Sequence, residues 1–428
     1  MKKVLIITYY WPPAGGPGVQ RVLKFAKYLP EFGWQPLILT VKKGEYPAYD
    51  ESLQKNIPTE CRIYKTRSLE PCGIYKKFTG MKLDESIPVA ILTEKNLNWK
   101  KKIAHWIRLN LFIPDAKIGW IPFAVREGKK IIQQEKPDLI FSSSPPPTVH
   151  LIAKKLAKWS KLKLVTDFRD PWTNIYHYEN QNINPISRFI NKKLEKSIIN
   201  NSANVIVVSG QYLRSYTRNS ISTIQNGFDE DDLKVVQNAR NEKFTIRYMG
   251  TMKDRQYVDS FFCVLEELSS VPEFKGMVKL EIIGLIHDSV KERIKAKDYG
   301  DFEVSFPGYK DHKEAIELIS RADMLLFVIG AGPRSVSIVS GKLYEYIMVM
   351  KPIIAFGPLD GEANKVLKAT DSGIMFDKND EKGINDFIIK HFDNWQNRIE
   401  LERKMDSIDN FSRRSLTGKL VKIFEESK

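Results

Sequence analysis

Short apolar runs alternate with amphipathic stretches along most of this chain, and the alternation starts afresh near its midpoint. In the first half the runs fall near 3–8, 35–41, 138–142, 163–167 and 204–208, with helical periodicity over about 18–30. In the second half they fall near 244–249, 279–284, 303–306, 323–328 and 352–356. Such runs suit strands buried on both faces, and strands separated by helices pair in parallel through crossovers. The pattern therefore predicts an α/β protein built from two doubly wound, Rossmann-like domains facing a central cleft. A chain of 428 residues also exceeds what a single core usually holds. The Asn226-Gly227 turn marks the division: 1–225 is the first domain, 226–400 the second, and 401–428 a terminal helix that packs back toward the first.

The 67 Lys and Arg against 52 Asp and Glu leave a net charge of +15, which favours an anionic partner. Nucleic acid is not expected, because no basic helix, zinc knuckle or aromatic β-platform accompanies the charge. Cys61, Cys72 and Cys263 have no paired spacing and the six histidines are scattered, so neither a disulfide framework nor a metal site is expected. No Walker A loop or GxGxxG fingerprint is present, which argues against ATPase and dehydrogenase chemistry. Lys2 and Lys3 precede an apolar run too brief for a signal peptide or membrane span, so the chain is expected in the cytoplasm. Lys100, Lys101 and Lys102 flank the aromatic-rich stretch from Ala104 through Trp106 to Ile113. That pairing suits peripheral contact with the inner face of the plasma membrane, the alternative being ordinary core.

The candidate site residues sit where strands end. Thr8-Tyr-Tyr-Trp-Pro-Pro-Ala-Gly-Gly-Pro-Gly18 joins the first strand to the first helix. Gly15 and Gly16 remove side chains there and leave backbone amides for an anion or a closely packed ligand, unless the loop merely packs. Asp167-Phe-Arg-Asp-Pro-Trp172 puts charge at a strand tip: Asp170 is placed to orient a hydroxyl and Arg169 to hold Asp170 or a phosphate, the alternative being a pair that ties down a loop. Ser142-Ser-Ser-Pro-Pro-Pro-Thr-Val-His150 offers hydroxyls and helix amides to a sugar or phosphate, or else caps its own helix. In the second half Gly250 permits close approach, while Lys253 and Arg255 offer charge to a diphosphate. The loop Gly330-Ala-Gly-Pro-Arg334 follows another strand. Ser337 then precedes Ser340-Gly-Lys-Leu-Tyr-Glu345, which reads as a helix start with Lys342 in the first turn. Lysine opposes the helix dipole there unless an anion compensates it. Glu345 shares its face, either to accept ribose hydroxyls or to pair with Lys342.

Taken in order, Tyr9-Tyr-Trp-Pro-Pro13 with Gly15-Gly-Pro-Gly18, Ser144-Pro-Pro146, Asp167-Phe-Arg-Asp-Pro-Trp172, Asn226-Gly227 and Lys342-Leu-Tyr-Glu345 resemble glycosyltransferase family 4, over nearly the whole chain. The resemblance implies the two-domain GT-B fold and metal-independent, retaining transfer from a UDP-, GDP- or dTDP-sugar to a glycan or lipid-linked saccharide in cell-surface polysaccharide biosynthesis. It implies an acceptor on the first domain and the donor nucleotide on the second. Gly16 would lie against the donor phosphates or sugar, Glu345 at the ribose and Lys342 near the nucleotide. Front-side attack, with the leaving diphosphate helping to deprotonate the acceptor, leaves positioning and charge stabilisation to the protein. Two positions depart from the family pattern. Ser337 stands where a first glutamate is frequent, and Thr251 follows Gly250 where an arginine is frequent, leaving Lys253 and Arg255 to supply charge. The competing readings are a nucleotide-sugar epimerase or hydrolase using Asp170 and His150, and a noncatalytic partner in a polysaccharide assembly complex.

Overall fold

The computed structural model describes residues 1–46, 48–71, 99–173, 183–209, 220–235, 240–332, 335–399 and 405–427. Cys72 and Arg334, singled out above, lie outside them. The chain forms two compact units, one of Met1–Gln225 with Arg413–Lys428, the other of Asn226–Ser412.

The strands of the first unit are β1 (Lys2–Ile7), β2 (Trp34–Val41), β3 (Arg62–Thr66), β4 (Leu139–Ser144), β5 (Leu164–Phe168), β6 (Asn204–Val207) and β7 (Ser220–Thr223). They pair in parallel in the order β3-β2-β1-β4-β5-β6-β7. Its helices are α1 (Pro17–Tyr28), α2 (Trp99–Asn110), α3 (Ile121–Glu135), α4 (Thr148–Ser160) and α5 (Pro185–Asn201). Val4, Leu5, Ile6 and Ile7 are all inaccessible, as expected of a central strand covered on both faces.

In the second unit, β8 (Phe244–Met249), β9 (Val278–Ile283), β10 (Glu303–Gly308), β11 (Met324–Val328), β12 (Ile353–Phe356) and β13 (Gly373–Phe376) pair in parallel as β10-β9-β8-β11-β12-β13. The helices alternating with them are α6 (Asp259–Ser269), α7 (Asp288–Lys295), α8 (His312–Ser320), α9 (Gly341–Met348), α10 (Glu362–Thr370) and α11 (Glu381–Gln396), followed by α12 (Met405–Asp409). Both sheets are doubly wound, and in each the strand order reverses beside the first strand. Those reversals, β1/β4 and β8/β11, are where open α/β sheets place ligands.

The end of the chain divides between the units. α11 and α12 stay with the second, whereas α13 (Arg413–Glu426) joins the first. Leu416, Leu420 and Phe424 of α13 enter the first core. Phe424 lies 5.3 Å from Trp34 and 5.5 Å from Phe141, ring to ring, and the Trp34 Nε1 donates to Glu425 at 3.1 Å. The sequence pattern missed β3, β7 and β13. Each closes the edge of a sheet and buries its residues incompletely.

Candidate functional site

In the first unit the β1/β4 reversal gathers two of the sequence motifs. Gly16 is the N-cap of α1 at φ +94°, a conformation that costs glycine little and other residues much. Among the described residues, no side chain caps this helix start. Gly18 lies beneath the Arg169 guanidinium: a Cβ there would fall 2.3 Å from Nη1. Arg169 in turn donates to Asp170 Oδ2 from Nη2 at 2.8 Å and from Nε at 3.2 Å. Asp170 is half exposed, while Arg169 is largely covered. Gly15 is held by backbone, its N–H donating to Ala48 at 2.9 Å. Arg169 and Asp170 thus form the loop pair foreseen as one alternative, seated on the opening turn of α1.

The Ser142–His150 motif makes its hydrogen bonds internally. The Thr148 N–H and hydroxyl both donate to Asp115, at 2.8 and 2.9 Å, so the start of α4 is capped rather than open to an anion. Burial raises the Asp115 carboxyl despite these donors. His150 is inaccessible, lies tilted against the Phe168 ring at 4.4 Å and shares a 2.8 Å hydrogen bond with Ser142 through Nδ1. Burial lowers it to about 3, against the opposing pull of Asp167, so it is a neutral core group. This removes it as the acid or base of an epimerase. Asp167 is also internal: Arg21 Nε and Nη2 donate to its two oxygens at 2.9 and 2.8 Å, and Ser143 donates at 2.6 Å. Arg21 further donates to the carbonyls of Ile224 and Gln225, tying α1 to the last turn of the unit.

A cavity of about 290 Å³ opens at the carboxyl edge of β1, β2 and β3. Trp11 follows β1, Lys42, Lys43 and Tyr46 follow β2, and Lys65 lies near the end of β3; all contribute to its wall with Tyr49. Tyr46 and Tyr49 meet edge to face at 5.5 Å. An aromatic wall with a lysine rim suits a sugar ring bearing negative charge.

In the second unit the β8/β11 reversal brings Gly250 and Lys342 into contact. Gly250 sits at φ +125° at the end of β8, and a Cβ there would fall 2.2 Å from Lys342 Nζ. The β9 end approaches as closely, since a Cβ on Gly284 would fall 2.3 Å from the Gly250 carbonyl oxygen. Lys342 occupies the first turn of α9, behind the N-cap Ser340. Its ammonium lies over the Tyr248 ring, 4.9 Å from the centroid, and donates to the Tyr248 hydroxyl at 3.3 Å. Burial lowers it to about 8, which the charge of Glu345 only partly opposes. The intrahelical pair with Lys342, the alternative given above for Glu345, does not form. Glu345 instead meets His312 Nε2 of α8 at 3.1 Å.

Ser337 ends a short 3₁₀ turn, Ser335–Ser337, just before α9. Lys253 and Arg255 lie exposed on the turn beyond Gly250. The Arg255 Cβ lies 3.3 Å from where a Cβ on Gly330 would be. Tyr248 and His312 were not foreseen. Tyr248 was hidden in an apolar strand, and His312 is 33 positions from its partner.

No curated protein sequence matches the chain. The profile described as Glycosyltransferase Family 4 matches residues 87–232. Among solved structures, the chain is similar to sucrose-phosphate synthase from Thermosynechococcus elongatus at 14% identity, covering 100% of this chain and 99% of that one, with a TM-score of 0.57. It is similar to Anabaena HepE in complex with UDP and glucose at 12% identity, covering 99% and 100%, with a TM-score of 0.57. It is also similar to a glycosyltransferase from Rickettsia africae at 15% identity, covering 100% and 98%, with a TM-score of 0.55. At these identities the neighbours speak for the fold. The family profile covers residues 87–232, and the two doubly wound parallel sheets, like these neighbours, show the GT-B glycosyltransferase fold.

Proposed function

We propose that this protein transfers a glycosyl group, with retention, from a nucleotide-diphosphate sugar to a glycan or lipid-linked saccharide acceptor in cell-surface polysaccharide biosynthesis. The carrying observation is Lys342. It is a cation seated in a helix's first turn, against the bare backbone of Gly250, and burial lowers it to about 8. Both the helix dipole and desolvation oppose its charge. A bound diphosphate removes both penalties, and it takes the further opening amides of α9 as donors. Lys253 and Arg255 lie on the Gly250 loop and add positive charge for the leaving group, which is why we read the reaction as metal-independent. Glu345, one turn along α9 and oriented by His312, is placed to accept ribose hydroxyls. Ser337 serves as a hydrogen-bond donor to sugar or phosphate. That the Anabaena neighbour was solved with UDP and glucose supports a nucleotide sugar as the donor class.

The first unit is assigned to the acceptor. Asp170 orients the attacking hydroxyl, held in place by Arg169, while Gly15, Gly16 and the uncapped start of α1 leave room for the reacting sugar. The lysine and tyrosine cavity takes a more distant, negatively charged part of the acceptor. The cytoplasm, at the inner membrane face, is the compartment this reading requires.

Protection against thermal unfolding across UDP-, GDP-, dTDP- and CMP-sugars and their parent nucleotides tests the donor assignment, because a ligand bound only by the folded state stabilises it by mass action. One nucleotide family is expected to protect the wild type and to lose most of its effect in Glu345→Ala. Protection by none of them, or equal protection of both proteins, overturns the assignment of α9.

A further inference from the structure

We infer that the cavity at the ends of β1, β2 and β3 reads an acidic pyranose, either a hexuronate or a phosphohexose, as the acceptor residue at or beside the point of transfer. This rests on the acceptor reading of the first unit and narrows it from a negative charge on the acceptor to a class of sugar. It also orders this transfer among the reactions that build the acceptor.

Lys42, Lys43 and Lys65 are exposed side chains on one cavity of about 290 Å³, and no carboxylate is among the described residues that line it. Among the described residues, none of the three ammoniums has an ion-pair partner. Lys117, which lies over the Tyr9 ring, is by contrast paired with Glu70. Like charges gathered round one hollow repel one another, and a neutral ligand leaves that repulsion in place. An anion relieves it and accepts charge-assisted hydrogen bonds.

Trp11, Tyr46 and Tyr49 supply aromatic surface for the apolar face of a sugar ring. Trp11 is 1% exposed, and its Nε1–H is buried without an acceptor among the described residues. Buried donors are normally paired, so an oxygen of a ligand in the cavity would complete this one. The volume is at the small end for ligand pockets, which suits one ring rather than an oligosaccharide.

Backbone contacts build the cavity and join it to the Gly15–Gly16 turn. A Cβ on Gly44 would fall 2.6 Å from Tyr46 Cε1 and 2.9 Å from the Tyr9 hydroxyl, so the turn after β2 can close on these rings only as glycine. The Lys42 N–H donates to the Thr66 carbonyl at 2.7 Å, tying the ends of β2 and β3. The Asp50 N–H donates to Pro13 at 2.8 Å, beside the Gly15 bond to Ala48. From Pro13 in the wall to Gly16 the chain reaches at most about 11 Å. The sugar in the cavity is therefore the reacting residue or one close to it. Such an acceptor already carries its acid, so the reaction that installs it, a uronosyl or phosphosugar transfer or the phosphorylation of a sugar, precedes this one.

The test is calorimetric titration of the full chain, without donor, with methyl glucuronide, glucose 6-phosphate, methyl glucoside and inorganic phosphate. One acidic sugar is expected to bind at least about tenfold more tightly than the methyl glucoside, and which one it is distinguishes a uronate from a phosphate. Lys43→Gln/Lys65→Gln should abolish that preference, and Tyr49→Ala should weaken the acidic sugar several-fold without affecting inorganic phosphate. All three positions are exposed on the first unit, so melting temperature and nucleotide protection should match the wild type. Equal binding of the neutral glucoside, binding of neither acidic sugar, or a preference that survives in the lysine variant overturns the inference. So does inorganic phosphate binding as tightly as the preferred sugar, which would make the lysines an anion site blind to the ring. The expected preference in a protein that no nucleotide protects would uphold this site and remove only the donor assignment.

Discussion

If Lys342 holds the donor diphosphate, nucleotide binding must be coupled to proton uptake. In the free protein burial lowers its ammonium from the ordinary 10.5 to about 8. A lysine depressed in the folded state destabilises the fold while charged, fully below about pH 8. Stability then rises between about pH 8 and 10.5, where the unfolded chain still holds the proton and the folded chain has lost it. At about 1.4 kcal/mol per pKa unit the gap is worth at most roughly 3 kcal/mol. A diphosphate beside Nζ restores the charged form, so the ligand recovers this energy only when the site is or becomes protonated.

The numbers for the assay follow. Between pH 7 and 9 the nucleotide's own phosphates stay ionised, while the unliganded amine falls from about nine-tenths to about one-tenth protonated. The Kd for the nucleoside diphosphate that protects the protein should therefore weaken about tenfold across that range. Proton uptake should approach about half a proton per site at pH 8, read by calorimetry in two buffers of different ionisation enthalpy. Lys342→Met should bind weakly at every pH and show no uptake. Its unliganded form should be more stable than the wild type at pH 7, by ~1–2 kcal/mol once about 1 kcal/mol for the lost Tyr248 hydrogen bond is subtracted. A wild-type Kd that is flat from pH 7 to 9 with no proton exchange would refute the assignment of Lys342 to the diphosphate.

Three further outcomes follow from the packing. Gly18→Ala must push the Arg169 guanidinium off the start of α1; because that group is the end of a flexible chain, stability should change by less than about 1 kcal/mol while turnover falls, and unchanged turnover would detach Arg169 from the reaction. Asp167→Ala leaves Arg21 charged, buried and partly unpaired, and should cost roughly 3–5 kcal/mol in chemical denaturation, a loss under ~1 kcal/mol being incompatible with the buried pair. Ending the chain at Ser412 exposes what Leu416, Leu420 and Phe424 cover; at roughly 1.5–3 kcal/mol per side chain this rivals the whole stability of a domain, so limited proteolysis should digest the first unit while sparing the second.

How much of this was legible in the sequence depends on what each residue touches. Central strands such as Val4-Leu-Ile-Ile7 and Leu325-Leu-Phe-Val328 are covered on both faces, and burial of that kind forces an apolar run. Edge strands are not so constrained. Arg62-Ile-Tyr-Lys-Thr66 exposes two of its five residues and Ser220-Ile-Ser-Thr223 two of its four, and both read as loop. Site residues divide in a similar way. Glycines and charges at strand ends could be located because the βα pattern places them at the carboxyl edge. Their partners could not, because Arg21–Asp167, Thr148–Asp115 and Glu345–His312 each join residues at least 33 positions apart. The same pairings separate structural groups from candidates: Asp167 and His150 belong to the core, and Asp170 does not.

The two sheet reversals differ in one respect that bears on function. Each carries a basic side chain packed against a glycine, Arg169 on Gly18 and Lys342 on Gly250. Arg169 brings its own counter-charge, since Asp170 lies within 2.8 Å on the next residue. Lys342 has a hydroxyl and an aromatic face, while its nearest helical carboxylate is engaged by His312. A cation already paired is suited to fixing the position of the Asp170 carboxylate. A cation held at about 8 by burial is suited to receiving charge that arrives from outside. For a neutral ligand the Lys342 charge would be a cost with no return, because its removal stabilises the unliganded fold. On the proposed reading, its place in the first turn of α9 answers to an anionic ligand at the end of β8, and a diphosphate has the charge and the acceptor oxygens to satisfy the amine and the helix amides together.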